Sequence, residues 1–471
     1  MRFVITAAAT LLAGSVPVLC AAGAGHAHVV SPQLVVGPRA IPVSFPGAAT
    51  FSCQLPGAAI ACYVPSQILA AYNIQPLLDQ SFTGRGQTIV IVDAFSSPTI
   101  KQDLDVFDTV FHLPAMNAGG ATFTIVAPDG LTPFDPNDLD QVGWSGEISL
   151  DVEWAHAVAP GANIVLVLAK SDQDADILSA TQYAVDHRLG DVISQSFGEA
   201  ESCMDSSLAQ KQHQVFIEAT LKNITLLASS GDDGAAQPTC DGNSFMKAAS
   251  TPASDPLVVS VGGTHLSAAL DGTYQGETVW NDEFGASGGG YSVLFNKPFY
   301  QLAAVKGNKR GVPDVAYSGD VNGGVLTAWS QGDPANIGSI YIFGGTSAGS
   351  PQWAGLLALA DQRAGFDLGF VNQGLYAMQL IPAVRSASFH DVTSGNNGIT
   401  ASDSNGNPVT ITGYTAANGW DPATGLGSPK GITFVDNLIR FASPADGFIG
   451  ILEGGPLSIG HVSHPGRNRP D

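Results

Sequence analysis

Trp144-Ser145-Gly146-Glu147-Ile148-Ser149-Leu150-Asp151-Val152-Glu153-Trp154-Ala155-His156 runs, a few residues later, into Asn163-Ile164-Val165-Leu166-Val167-Leu168. The first stretch offers Ile148, Leu150, Val152 and Ala155 as packing positions and predicts a helix over Gly146–Val158. The second is an aliphatic run of strand length without polar alternation, the pattern of a strand buried on both faces. The pairing recurs on either side. Strand-like runs cover Thr88–Asp93, Asp191–Ser196, Ile224–Ala228 and Leu257–Val261, and helical patterns cover Ala175–His187 and Ser207–Leu221. Such alternation predicts an α/β fold with a doubly wound, mostly parallel central sheet flanked by helices. Folds of this kind bind ligands beyond the carboxyl ends of their strands. Asp93, Ser196 and Asp232 fall at or just past such ends. Residues 262–345, rich in Gly, Ser and aromatics, are expected to hold long loops, and residues 389–429 form a further Gly/Asn/Asp-rich stretch. No internal repeat is evident.

The chain has 471 residues and is 44% apolar and 13% charged, enough to bury a sizeable core. Asp and Glu number 41 against 19 Lys and Arg, a formal net charge of −22. That balance argues against nucleic acid or an anionic membrane as partner. It also produces self-repulsion at neutral pH that relaxes as carboxyls protonate, which suits an acidic setting. Residues 1–28 read as a secretory signal, with Arg2 ahead of a mostly apolar run to Cys20 and a small-residue cleavage site at Ala22-Gly23-Ala24. Gly14 and Pro17 interrupt the run, which disfavours a retained span, and Pro17-Val18-Leu19 lacks the small residues expected ahead of a lipidated Cys20. No later segment reaches the roughly 18 consecutive apolar residues of a membrane helix.

Beyond the signal remain Cys53, Cys62, Cys203 and Cys240, an even number that in a secreted chain implies two disulfides. Three pairings are open. Nearness in sequence favours Cys53 with Cys62 and Cys203 with Cys240. A zinc site is the rival, but there is no close Cys pair and no nearby His pair.

Chemistry concentrates in three places. Gly344-Gly345-Thr346-Ser347-Ala348-Gly349-Ser350-Pro351 sets a serine among small residues just before an apolar helical segment. Small neighbours let a carbonyl approach the hydroxyl, the first helical turn favours negative charge, and Pro351 suits that turn. Glu147 and Asp151 are four apart, so a helix places both on one face, where two close carboxyls share a proton. A solvated acidic helix face has the same spacing. Ala228-Ser229-Ser230-Gly231-Asp232-Asp233-Gly234 follows a strand, and its acid reads as a turn residue, a calcium ligand or a catalytic group.

Together these motifs resemble the sedolisin family, serine-carboxyl peptidases on a subtilisin-like fold. Gly345-Thr346-Ser347 with Pro351 is similar to the family's nucleophile motif, and Glu147 and Asp151 to its Glu-x-x-x-Asp, where glutamate replaces histidine. Gly231-Asp232 is similar to the aspartate that replaces an oxyanion-hole asparagine; Ser287-Gly288-Gly289-Gly290-Tyr291-Ser292 and Tyr300-Gln301 also look like the family. The resemblance spans roughly residues 60–440. It implies that Glu147 takes the proton of Ser347, that Asp151 orients Glu147, and that a protonated Asp232 donates to the oxyanion. Asp93 is given a supporting role only, because the tryptophan that extends this network in some relatives is matched by Phe197, which has no N–H. Ser196 and Gly198 are expected to present a backbone edge to an extended peptide.

The resemblance also implies one structural calcium ion, held by the side chains of Asp391 and Asp421 and the carbonyls of Val392, Ala417 and Gly419. Asp403-Ser404-Asn405-Gly406 lacks the remaining ligand spacing and reads as a turn. His156 is expected to be packed or at a helix end, and Glu153 solvated. The glycines 288–290 lack the spacing of a phosphate loop.

The expected organisation is a signal (1–28), a short N-terminal segment without an evident large propeptide (29–59), a peptidase domain (60–442) and a tail (443–471). The function expected is that of a secreted, monomeric endopeptidase acting on polypeptides in acid. The rivals are a histidine-dependent subtilisin-like peptidase, which lacks a suitable His motif here, and a catalytically silent binding protein on the same fold.

Overall fold

Eight strands form the central sheet of a computed structural model that describes residues 29–44 and 50–442. The expected signal and tail lie outside the described residues. In chain order the strands are β1 (Thr88–Ala94), β2 (Phe123–Val126), β3 (Asn163–Ala169), β4 (Val192–Gln195), β5 (Thr225–Ser229), β6 (Val259–Ala268), β7 (Tyr274–Val279) and β8 (Val315–Ser318). Their order is β7-β6-β5-β4-β1-β3-β2, with β8 also paired to β6. Every pairing is parallel except β6 with β7. Ile89, Val90, Ile91 and Val92 are all buried, so β1 is covered on both faces as its unbroken aliphatic run requires.

The helices that matter are α1 (Ile100–Phe111), α2 (Leu139–Val158), α3 (Asp174–Asp186), α4 (Ser206–Leu221) and α5 (Ser350–Ala364). Helices α2 and α5 pack on each other and on the sheet, and α3 with α4 forms a second pair against it. Helix α2 begins earlier than the sequence pattern suggests. Asp138 caps it by accepting from the N–H groups of Asp140 and Gln141, while Gly143 and Gly146 weaken the local helical signal. Every residue from Trp144 to Val158 is buried, so α2 is a core helix rather than a surface one. This corrects the reading of Glu153, which is fully buried and accepts the N–H of Ala328 at 2.8 Å.

One further expectation needs correction. Strand β6 continues through Gly262 and Gly263 instead of stopping at Val261. A Cβ on Gly263 would lie 2.7 Å from the Trp280 ring, and one on Gly262 2.7 Å from Pro313, so the glycines admit close neighbours rather than end the strand. Residues 262–345 hold the expected long loops but also strands between them. They hold β7, β8 and the strands Gly290–Asn296, Lys309–Val312, Gly324–Ala328 and Ile340–Gly344. These strands are short and paired at long range, so local periodicity hides them. Both disulfides form, Cys53 with Cys62 and Cys203 with Cys240. Among the described residues no helix is long and apolar enough to cross a membrane.

Candidate active site

Ser347 sits in a single tight turn, Thr346–Ala348, between the strand Ile340–Gly344 and α5. The turn depends on Gly345, whose φ of +99° suits glycine. A Cβ there would also lie 2.4 Å from the Gln33 carbonyl oxygen, 2.6 Å from Asp232 Oδ2 and 2.7 Å from Leu34 Cα. Nothing larger than glycine fits at position 345.

The Ser347 hydroxyl donates to Glu147 Oε2 at 2.9 Å and lies 3.2 Å from the Ser196 carbonyl oxygen. Glu147 and Asp151 project from successive turns of α2, both fully buried. Asp151 accepts from Ser196 Oγ at 2.8 Å, which orients it. Burial, reinforced by Asp151 and Asp93 and partly offset by the Ser347 hydrogen bond, pushes Glu147 well above the usual carboxylate range. Burial and the nearby Asp93 likewise raise Asp151. Two buried carboxyls one helical turn apart resist ionising together, which favours a proton retained on the pair. Asp93 stands at the carboxyl end of β1, buried with neither oxygen hydrogen-bonded, and burial pushes it up to about 8.

Asp232 follows β5. Its Oδ1 accepts from the Thr346 N–H at 2.7 Å and the Thr346 hydroxyl at 2.8 Å, while Oδ2 has no partner. Burial outweighs these hydrogen bonds and pushes Asp232 up to about 8. With Oδ1 committed as a double acceptor, a proton on this group sits on Oδ2, beside Gly345 and the Gln33 carbonyl. The glycine triplet packs behind this loop: a Cβ on Gly288 would lie 2.1 Å from the Ser230 carbonyl oxygen. Close backbone approach accounts for it.

The edge formed by Ser196 to Gly198 is occupied by the chain's own amino-terminal segment. Ser31 and Pro32 pair antiparallel with Gly198 and Phe197, and the Gln33 N–H donates to the Ser196 carbonyl at 3.1 Å. The Ser347 N–H donates to the Gln33 carbonyl at 3.0 Å. Sequence reasoning missed Gln33 altogether, and it missed Thr346 as the orienter of Asp232. The sole local signal was the extended, proline-containing run from Val29 to Val36.

Of the residues expected to hold calcium, Asp391 meets Gly419 and Asp421 meets Ala417. Asp391 accepts from the Gly419 N–H at 3.1 Å, and Asp421 from the N–H groups of Ala417 at 3.1 Å and Ala423 and Thr424 at 2.9 Å. Both carboxylates therefore lie against the loop 417–421 and accept its N–H groups. No group of three or more His, Cys, Asp or Glu among the described residues is placed to hold a metal. Elsewhere, His156 is buried, with Nε2 2.9 Å from the Pro114 carbonyl oxygen and 3.2 Å from Asp108. Asp403 closes the turn of a hairpin, accepting from the N–H groups of Asn405 and Asn407.

A model of the Subtilase family matches residues 141–373. Kumamolisin of a Bacillus species is 34% identical over 411 residues, which are 84% of this chain and 67% of kumamolisin. Sedolisin of a Pseudomonas species is 33% identical over 365 residues, 74% of this chain and 57% of that protein. Among solved structures, Pseudomonas sedolisin (a serine-carboxyl proteinase) complexed with two molecules of pseudo-iodotyrostatin matches with a TM-score of 0.68 at 27% identity. That match covers 82% of this chain and 100% of the other.

Proposed function

The chain belongs to the sedolisin family of serine-carboxyl peptidases, and from that premise we propose that it is a secreted endopeptidase hydrolysing peptide bonds of proteins at acidic pH. The observation that carries the mechanism is the 2.9 Å hydrogen bond from Ser347 Oγ to Glu147 Oε2. Glu147 takes the hydroxyl proton as Ser347 attacks the substrate carbonyl carbon. The negative charge that develops on the carbonyl oxygen is met by the Ser347 N–H and by protonated Asp232. Glu147 then returns the proton to the departing amine. A water molecule repeats the sequence on the acyl-serine, releasing the acid and restoring the hydroxyl. Asp151 holds Glu147 in place and shares its proton, and Asp93 keeps the pair from ionising together.

The acidic setting is supported by the formal charge of −22, whose self-repulsion relaxes as carboxyls protonate, while Asp232, which donates only while protonated, sets an alkaline limit to activity. Two disulfides support an oxidising, extracytoplasmic compartment. A single calcium ion, held by Asp391, Asp421 and the carbonyls of Val392, Ala417 and Gly419, would brace the loop 417–421 and take no part in the chemistry. A histidine base is disfavoured because the side-chain partner of the Ser347 hydroxyl is a carboxylate.

Purified protein assayed on an unfolded protein substrate at acid and neutral pH, beside Ser347→Ala, tests the reading. Acid activity lost in the variant is expected. Activity peaking at neutral pH would favour the histidine mechanism, and none at any pH a silent binding protein.

A further inference from the structure

The cleft already contains a peptide, and it is the chain's own. The Val30 N–H donates to the Asp172 carbonyl at 3.0 Å, Ser31 and Pro32 pair with Gly198 and Phe197, and Gln33 binds the Ser196 carbonyl. Beyond Leu34 the segment changes partner: Val35 and Val36 pair antiparallel with Gly344 and Phe343. The crossing from one edge to the other falls at the Gln33–Leu34 peptide. Its carbonyl oxygen accepts the Ser347 N–H at 3.0 Å and faces the same Gly345 position as Asp232 Oδ2. A carbonyl held by the nucleophile's own N–H is where a scissile bond belongs.

The Gln33 side chain is buried in a pocket of matching polarity. Ser229 Oγ donates to Gln33 Oε1 at 2.5 Å, and Gln33 Nε2 donates to Ser250 Oγ at 3.0 Å. The Ser250 hydroxyl proton is itself directed at the Thr251 carbonyl, so Ser250 presents a lone pair to the amide. One hydroxyl thus donates and the other accepts, the complement of a carboxamide. The pocket is closed by glycines: a Cβ on Gly198 would lie 2.1 Å from Ser250 Oγ and 2.5 Å from Gln33 Nε2, and one on Gly231 2.5 Å from Gln237 Nε2.

We infer that Ser229 and Ser250 form a glutamine-selecting subsite for the residue on the acyl side of the cleaved bond, and that the enzyme cleaves its own Gln33–Leu34 bond. This rests on the peptidase reading above. Ser347 Oγ bonds to the Gln33 carbonyl carbon as its proton passes to Glu147, and the C–N bond to Leu34 breaks as that proton moves to the Leu34 amine. Water then hydrolyses the Gln33 ester, leaving a Gln33 carboxyl group and free Ser347. No oxidant or cofactor is required. A site built to hydrogen-bond a polar substrate group discriminates strongly against an analogue that leaves its own groups unpaired. Glutamine should therefore be preferred over leucine by about tenfold or more in kcat/KM.

The test uses the full chain. After acid incubation, amino-terminal sequencing of the wild type is expected to read from Leu34, whereas Ser347→Ala should retain the residues before it. Peptides of the sequence Val30–Val36, with glutamine or leucine at the Gln33 position, give the selectivity ratio. That ratio should fall toward one in Ser229→Ala and Ser250→Ala. A wild type that digests protein yet keeps its amino terminus ahead of Leu34, or cuts both peptides equally, overturns this inference and leaves the peptidase reading standing. Failure to cut itself, either peptide or any protein overturns the peptidase reading and this inference with it.

Discussion

The proposed role of Glu147 as base for Ser347 requires that water be held away from it. Burial raises the proton affinity of Glu147, which narrows its gap to a serine hydroxyl, and the same burial keeps Asp232 neutral below about 8. Asp232 can be isolated from the rest by Asp232→Asn. The asparagine oxygen can still accept from Thr346, and its amide N–H₂ donates from the Oδ2 side at every pH. Activity in acid should be kept within about tenfold and the alkaline loss should move upward, whereas Asp232→Ala should cost about 10²–10³ in kcat. An unchanged alkaline limb in the asparagine variant would remove Asp232 from the role. The value of about 8 belongs to a cleft filled by Gln33 and Leu34. Water entering an empty cleft lowers it, so the alkaline limb of kcat/KM should lie below that of kcat. The residues of the proposed chemistry stand out one by one in the sequence, because a serine among small residues or two acids a helical turn apart are local patterns. Glu153 does not: its burial depends on what covers α2, and nothing in its own turn records that.

Helices α2 and α5 set the distance between Glu147 and Ser347. Gly355 of α5 has Val158 of α2 so near that a Cβ would stand 2.8 Å from the valine Cβ, and a Cβ on Gly146 would be 3.4 Å from Trp329 and Phe343. These contacts let α2 sink into the core and bring Glu147 to a serine that sits just ahead of α5. Strand and helix types follow from period and apolar runs, so β1, β3, α3 and α4 are readable within a residue or two. The start of α2 and the length of β6 are not, since glycines that admit neighbours look locally like breakers. At the same scale, the loop 417–421 is tied to Asp391 and Asp421 by N–H donors alone. If calcium braces it, chelation should lower Tm by several degrees, since loss of a ligand held at a hundred times its Kd removes about 2.7 kcal/mol. A melting curve unmoved by chelator, and unmoved by calcium restored, would dismiss the ion.

Across the whole molecule, net charge and buried carboxyls push in one direction. Burial raises Glu147, Asp151, Glu153 and Asp361 well above the ordinary range, Asp93 and Asp232 to about 8, and Glu199 to about 9. Folded-state values above the unfolded ones mean that their contribution to stability is whole below the ordinary carboxyl range near pH ~4 and is lost as pH rises through the folded values. The formal charge of −22 adds repulsion in the same interval. Denaturation midpoints should therefore fall steadily from about pH 4 to about pH 9. A midpoint that rises over that range would contradict the burial assigned to these groups. The sequence by itself determined the kinds of elements and the chemical groups at their ends, because periodicity and short spacings are properties of contiguous chain. Only the tertiary structure decided that Ser347 meets Glu147 across 200 residues, that Glu153 is dry, and that Gln33 lies against the nucleophile. Those contacts depend on strand order and on how closely glycines let backbones approach, and no local period encodes either.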